Sequence, residues 1–167
     1  AQNAPDAPAE TKPDTVVPPV EPSETDDDVV LNTQTLTACR AISLRAGDIL
    51  GNSPIVIRDT GTLESLYETN KVPCSLDKRS GTLSFSEVMG QYTADFFAKN
   101  VLLILSLEEG NVTDIPVFTG LSDDGRIYIE RTEDASVKAG SCQWLVLVSV
   151  PLSSEALNAG SFSVVEY

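Results

Sequence analysis

The best candidates for catalytic residues in this chain are two pairs of adjacent carboxylates, Glu108-Glu109 and Asp123-Asp124. Two carboxylates can act as general acid and general base when their surroundings hold their pKa values apart. Neighbouring residues on a strand, however, point to opposite faces. Both pairs are also predicted at exposed hairpin tips, where a carboxyl group keeps an ordinary pKa. We therefore expect no catalytic residues, and an enzyme of the glycosidase type remains an alternative.

The chain contains no histidine and three cysteines, Cys39, Cys74 and Cys142. The lack of histidine excludes Ser-His-Asp and Cys-His sites, because both use an imidazole as the base. Soft metal sites need clustered Cys and His side chains, and these cysteines are scattered along the chain. The sequence therefore predicts no metal and no cofactor. Three unpaired thiols are expected, and a single disulfide in any of the possible pairings stays open.

Two aromatic side chains, Trp144 and Tyr128, are the candidate ligand contacts. Trp144 is the single tryptophan of the chain and could stack on a sugar ring. The apolar run that follows it, 145–148, favours burial in the core instead. Tyr128 is expected to be exposed and to make a surface contact. Either ring would support a carbohydrate-binding module, which is a second function that the sequence allows.

The balance of charge restricts the partners. The 167 residues include 25 acidic and 11 basic ones, which gives a formal net charge of −14. Nucleic acid and anionic membrane surfaces both require a basic footprint, so neither is an expected partner. No apolar run approaches the roughly 18 residues of a transmembrane helix. The chain begins with Ala rather than Met, so we expect either a processed mature form, from which a signal segment has been removed, or a truncated chain.

Residues 1–28 differ in composition from the rest of the chain. They hold six of the ten prolines, they contain no aromatic residue, and a single lysine accompanies their many acidic residues. Such a segment cannot bury enough apolar surface to offset the entropy lost on ordering it. We predict a disordered linker at 1–28, of the kind that separates a membrane anchor from a folded domain. One globular, β-rich domain is predicted at 29–167.

The two most apolar stretches of the chain are VLLIL at 101–105 and WLVLVSV at 144–150. A run that is apolar at nearly every position predicts a strand buried on both faces. Tyr92, Phe96 and Phe97 come just before the first run. These three rings are expected either to fill the core or to form an aromatic platform for a ligand.

Shorter elements are predicted around the two runs. Helical segments are expected at 62–70 behind the N-cap Thr62, at 84–90, and directly after the N-cap Thr93. Further strands are predicted at 35–45, 55–57, 113–120, 127–129 and 161–167. The fold class is α+β or mainly β, with an antiparallel, β-sandwich-like core of about seven strands. Two or three short helices are inserted before the central strand.

Three local details follow from the same patterns. Arg40 interrupts the inward residues of the first strand, which predicts a bulge or a strand end there. The polar residues 108–111 are predicted as a hairpin connection. In the strand after that connection, the inward residues are predicted to alternate through Ile115, Val117 and Thr119, and Pro116 predicts an edge or a bulge there.

A set of predicted core positions resembles a known family. The positions are Tyr92-Thr93-x-x-Phe96-Phe97-x-x-Asn100-x-Leu102, then Asp124-Gly125-x-Ile127, then Cys142-x-Trp144-x-x-x-Val148 and Pro151. This arrangement is similar to domains in surface lipoproteins of Gram-positive gut bacteria, which resemble the C-terminal domain of the protease complex subunit PrcB. The resemblance implies a small extracytoplasmic domain that associates with other proteins and has no catalytic residues.

The expected function is a non-enzymatic, extracytoplasmic binding or scaffolding domain of a bacterial surface lipoprotein. Its expected partner is an extracytoplasmic protein or another component of the cell envelope, contacted by strand addition at an exposed sheet edge. We expect a monomer at the cell surface that meets the membrane only through a removed N-terminal lipid anchor. The alternatives are a carbohydrate-binding module and a regulator of an extracellular protease, the latter on the resemblance alone.

Overall fold

The computed structural model describes residues 39–48, 50–78, 83–111, 115–131 and 139–167. These ranges contain seven strands, three α-helices and one 3-10 helix. In chain order they are β1 (Arg40–Ala46), β2 (Ile55–Ile57), α1 (Thr60–Asn70), α2 (Phe85–Met89), α3 (Ala94–Phe97), β3 (Asn100–Asn111), β4 (Val117–Leu121), β5 (Arg126–Glu130), β6 (Ala139–Pro151), the 3-10 helix (Glu155–Asn158) and β7 (Ser163–Glu166). The predicted fold class is confirmed. The predicted linker at 1–28 and the start of the predicted first strand, 35–38, lie outside the described residues.

The strands form two sheets. The larger sheet has the order β1-β6-β3-β2 and is antiparallel throughout. In the smaller sheet, of order β4-β5-β7, β5 pairs antiparallel with β4 and parallel with β7. The two predicted apolar runs lie in β3 and β6 and pair with each other, so that Leu103 is opposite Val148 and Leu105 is opposite Val146. The centre of the larger sheet is therefore built from the most apolar residues of the chain.

The apolar runs are continuous because the larger sheet is covered on both faces. Successive side chains on a strand point to opposite faces. Leu102 and Ile104 are buried together with side chains from the helices. Leu103 and Leu105 are buried on the other face, against side chains of the smaller sheet. Each of these four is at most 1 % exposed, which confirms the prediction of a strand buried on both sides.

The short helices α2 and α3 begin at side-chain caps. The Ser84 hydroxyl accepts from the N–H of Glu87 at 3.3 Å, and the Glu87 carboxylate accepts from the N–H of Ser84 at 2.6 Å. Thr93 is the N-cap of α3, as predicted, and its hydroxyl accepts from the N–H of Phe96 at 3.4 Å. These bonds satisfy amides that a first helical turn leaves unpaired. Helices of five and four residues still need packing to persist, and both bury aromatic side chains against the sheet.

Helix α1 begins at Thr60, earlier than predicted. Its N-cap is Asp59, whose carboxylate accepts from the N–H of Thr62 at 2.7 Å and from the hydroxyl of Thr62 at 2.8 Å. The bond from the Thr62 N–H is the main reason that the pKa of Asp59 lies below its usual value. The predicted cap at Thr62 is wrong because the carboxylate that precedes it is the better acceptor.

The side chains of β4 alternate differently from the prediction. Ile115 and Val117 are predicted to face inward, but they are 50 % and 46 % exposed. A bulge just after Phe118 shifts the register of β4 against β5. An extra residue in one strand changes which of its side chains face the core. Phe118 and Leu121 therefore pack inward instead.

Strand β3 continues through the residues predicted as a hairpin. Its pairing with β6 extends to Asn111 and places Glu109 opposite Cys142. The hairpin prediction for 108–111 is wrong because the apolar pattern ends at Leu107 while backbone pairing, which does not require apolar side chains, goes on. Glu109 consequently lies on a strand of the larger sheet rather than at an exposed hairpin tip.

Replacing Leu103 with alanine should lower the free energy of unfolding by about 2–5 kcal/mol, because it removes a fully buried side chain and leaves a cavity. The matched control is Leu152→Ala, whose side chain is 49 % exposed. This control should change the free energy by no more than about 0.5 kcal/mol. Guanidinium unfolding followed by circular dichroism measures both values, and equal losses would contradict the two-sided core.

Candidate functional site

The pair Asp123-Asp124 lies in the turn between β4 and β5 and does not form a catalytic dyad. Both side chains are exposed. Asp124 accepts a hydrogen bond from the Ser122 hydroxyl, and its Oδ2 lies 3.0 Å from Nε of Arg126. The Ser122 bond, with a smaller contribution from Arg126, holds the pKa of Asp124 below its usual value. A general acid needs the opposite shift, so these groups stabilise the turn.

Glu109 is buried, contrary to the predicted exposure. It is 2 % exposed, whereas its neighbour Glu108 is exposed on the other face of β3. Oε1 of Glu109 lies 3.3 Å from Nε of Arg131, and Nη2 of Arg131 lies 2.5 Å from Oε1 of Glu166. An adjacent guanidinium favours the ionised carboxylate. The cluster therefore ties β3 to the ends of β5 and β7, and the two glutamates of the predicted pair do not converge.

Neither predicted ligand contact is open to solvent. Trp144 is 1 % exposed, its indole N–H donates to Sγ of Cys142 at 3.1 Å, and the Arg45 guanidinium lies 5.2 Å from its ring centroid. The predicted exposure of Tyr128 is wrong, because this residue is 8 % exposed on β5, the middle strand of the smaller sheet. Stacking on a sugar needs an accessible ring face. These two residues therefore provide no binding platform.

The cysteines are free thiols. Cys74 lies in the helical core, whereas Cys39 and Cys142 pack on the opposite face of the larger sheet. Pairing of Arg40 with Ser149 places Cys39 and Cys142 at opposite ends of β6. Burial raises the pKa of Cys39 to about 11, so this thiol stays protonated and is a poor nucleophile.

A pocket of about 570 Å³ lies where the start of β1 meets the turn between α2 and α3. Ligand pockets in proteins commonly measure roughly 300–1,000 Å³. The lining residues of this pocket come from β1, from the segment 91–100 and from the end of β6. They are Arg40, Ala41, Ile42, Gln91, Tyr92, Phe96, Asn100, Ser149 and Pro151. The pocket combines one cation, several neutral polar groups and two aromatic rings.

The two aromatic rings of the pocket belong to the predicted platform. Tyr92 and Phe96 pack edge to face with their ring centroids 5.0 Å apart. Both rings also contact the helical core, and Phe97 lies in that core without lining the pocket. Burial raises the pKa of Tyr92 to about 12, so its hydroxyl remains protonated at neutral pH and can donate a hydrogen bond.

Strand register sets the polar side of the pocket. Arg40 on β1 is directly opposite Ser149 on β6, so the two side chains are neighbours on one face of the sheet. Nδ2 of Asn100 donates to the carbonyl of Phe96 at 3.2 Å, which fixes this amide beside the aromatic ring. Arg40 is exposed and forms no ion pair with any residue in the described ranges. None of the lining residues is acidic, although the chain as a whole carries a charge of −14.

Within the described residues, strand β1 forms one edge of the larger sheet. It pairs with β6 over all seven of its residues, and no strand in the described ranges pairs with its other side. Bulges and prolines often block the edge strand of a sheet. Strand β1 contains no proline, and its register with β6 has no shift. The opposite edge strand, β2, has only three residues. Since Arg40, Ala41 and Ile42 belong to both features, the open edge and the pocket adjoin.

The sequence did not predict this pocket. The sequence predicts a bulge or a strand end at Arg40, and this residue is the first of β1. Its meeting with Tyr92 and Ser149 depends on tertiary contacts between segments that are far apart in the chain. The available signal was a cation at an inward-facing position of a predicted strand, which is uncommon in a purely structural strand.

Neither a metal-binding cluster nor a membrane-spanning helix is present among the described residues. They contain no cluster of three or more Cys, Asp or Glu side chains that could hold a metal ion. None of the helices within these ranges has the length and apolar character needed to cross a membrane.

A scan against protein-family models, a search of curated proteins and a search of solved structures each found no match.

Emission from Trp144 should resist quenching, because this residue is the single tryptophan and is 1 % exposed. Titration with iodide and, separately, with neutral acrylamide measures this. The neutral quencher controls for repulsion of iodide by the acidic chain. We expect both quenching constants to rise strongly when the protein is unfolded in guanidinium. A native acrylamide constant equal to the unfolded one would contradict the burial of Trp144.

Arg131→Met should destabilise the protein by about 1–3 kcal/mol, because it removes the cation beside the buried Glu109. The value lies below that of a fully buried pair since the Arg131 side chain is 33 % exposed. Arg126→Met removes an exposed pair and should cost at most about 1 kcal/mol. Adding Glu109→Gln to Arg131→Met should recover part of the loss, because a neutral amide is easier to bury. Denaturant unfolding measures all three, and equal losses without recovery would contradict this assignment.

Proposed function

We propose that this chain is a non-enzymatic binding domain that contacts an extended segment of a partner protein by strand addition along β1. The single observation that carries the proposal is the open edge of β1 beside the pocket that contains Arg40 and Tyr92. Strand addition uses backbone hydrogen bonds for affinity and pockets on the sheet face for specificity. The edge of β1 and the pocket lie next to each other at the start of this strand.

The dimensions of a sheet support this mode of binding. A strand added to β1 would lie about 4.8 Å from it, and every second side chain would project onto the face that carries the pocket. Strand β1 has seven residues, which is about the usual length of a strand in a globular protein. A partner segment of similar length would satisfy the outward N–H and C=O groups of β1.

We also propose that the domain lies outside the cytoplasm. The resemblance to domains of bacterial surface lipoproteins supports a position outside the cytoplasm, where the partner would be another extracytoplasmic protein. The sequence contains no histidine, which supports a role without catalysis by an imidazole base. The burial of Trp144 and Tyr128 removes the residues on which a carbohydrate-binding role depended.

A photo-reactive benzoylphenylalanine at Ala41 should form a covalent adduct with the partner. Ala41 is exposed at the start of β1, so its side chain lies beside an added strand. The whole chain carrying this residue is irradiated in an extract of cell-surface proteins, and the cross-linked peptide is identified by mass spectrometry. We expect the adduct to map to an extended segment of one protein.

The matched control places the same photo-reactive residue at Thr69. This position is equally exposed but lies on α1, away from β1. Strand addition predicts the adduct from Ala41 and none from Thr69. Equal adducts from both positions, or none from Ala41, would contradict the proposed function.

A further inference from the structure

We infer that the pocket beside β1 binds one acidic side chain of the added segment, held by Arg40 and surrounded by the rings of Tyr92 and Phe96. This inference rests on the proposed strand addition and specifies the chemistry of the partner. It concerns an Asp or Glu side chain within the segment, not a free C-terminal carboxylate.

The direction of side chains on a sheet places the ligand group. Arg40 and Ile42 line the pocket and point to the same face of the sheet, and Ala41 between them also lines the pocket. A residue opposite either of them on an added strand would point to that face too, with its Cβ about 5 Å from its neighbour on β1. A terminal carboxylate would remain in the plane of the sheet. The pocket is therefore positioned to receive a side chain.

The chemistry of the lining favours a carboxylate. The guanidinium of Arg40 offers donors in a fork that matches a carboxylate. The Ser149 hydroxyl, its cross-strand neighbour, and the protonated Tyr92 hydroxyl are further donors on the same pocket. No lining residue is acidic, so the lining carries no negatively charged side chain that would repel an anion. The aromatic rings would contact the methylene groups of the bound side chain.

The charge of the rest of the chain limits how acidic the segment can be. With a net charge of −14, the chain repels a run of acidic residues, whereas Arg40 attracts one at short range. The favoured segment is therefore neutral or basic overall, with a single Asp or Glu. Side chains two residues to either side of that acid would point to the same face of the sheet.

Peptide display tests this inference. Random peptides of about ten residues, long enough to span β1, are selected in parallel on the whole chain, on Arg40→Glu and on Arg58→Glu. Arg58 is an exposed residue directly after β2, at the opposite edge of the same sheet. Its substitution by Glu changes the net charge by the same amount as Arg40→Glu and leaves the pocket intact. We expect a single conserved acidic position from the wild type and from Arg58→Glu, and a basic residue at that position from Arg40→Glu. Replacing the acid of one selected peptide with its amide should weaken binding to the wild type about tenfold.

The two proposals fail in different ways. Selected peptides without an acidic position, or with the same acid selected on Arg40→Glu, would overturn the acidic pocket and leave strand addition intact. If no peptide is enriched on any of the three proteins, strand addition along β1 fails and the acidic pocket fails with it.

Discussion

The antiparallel pairing of β3 with β6 is the interaction on which the rest of the structure depends. Both strands are apolar at successive positions, so both faces of the sheet they form must be covered. Helices α1 to α3 supply one cover and the smaller sheet supplies the other. Because β3 and β6 occupy the centre, β1 and β2 are left as edges. The position of the open edge is thus a consequence of where the apolar residues lie.

Much of the fold could be predicted from local patterns. Continuous apolar runs identified β3 and β6, and a threonine at the right position identified the start of α3. The wrong predictions for β3 and β4 occurred where the pattern of apolar side chains does not follow the pairing of the backbone. Glu109 is polar yet remains in the ladder of β3, and the bulge after Phe118 reverses the expected alternation of Val117. Neither event leaves a signal in the spacing of apolar residues.

The candidate site was far less predictable than the fold. Its aromatic residues were singled out, since Tyr92 and Phe96 were expected as core or as a ligand platform, and both rings pack with the helical core and line the pocket. Its polar part was not predicted, because Arg40 and Ser149 are more than a hundred residues apart and meet only through the register of β1 against β6. Trp144 lies in the core, as the apolar run that follows it indicates, and only its alternative role as a ligand contact is lost.

Amide hydrogen exchange of the free protein, resolved by residue, tests the central claim most directly. In an antiparallel edge strand, alternate N–H groups point away from the neighbouring strand. If β1 is an open edge on a central β3–β6 pair, alternate amides of β1 should exchange rapidly while those of β3 and β6 exchange slowest in the molecule. Uniform protection along β1, equal to that of β3, would mean that its outer edge is already occupied and would contradict this account.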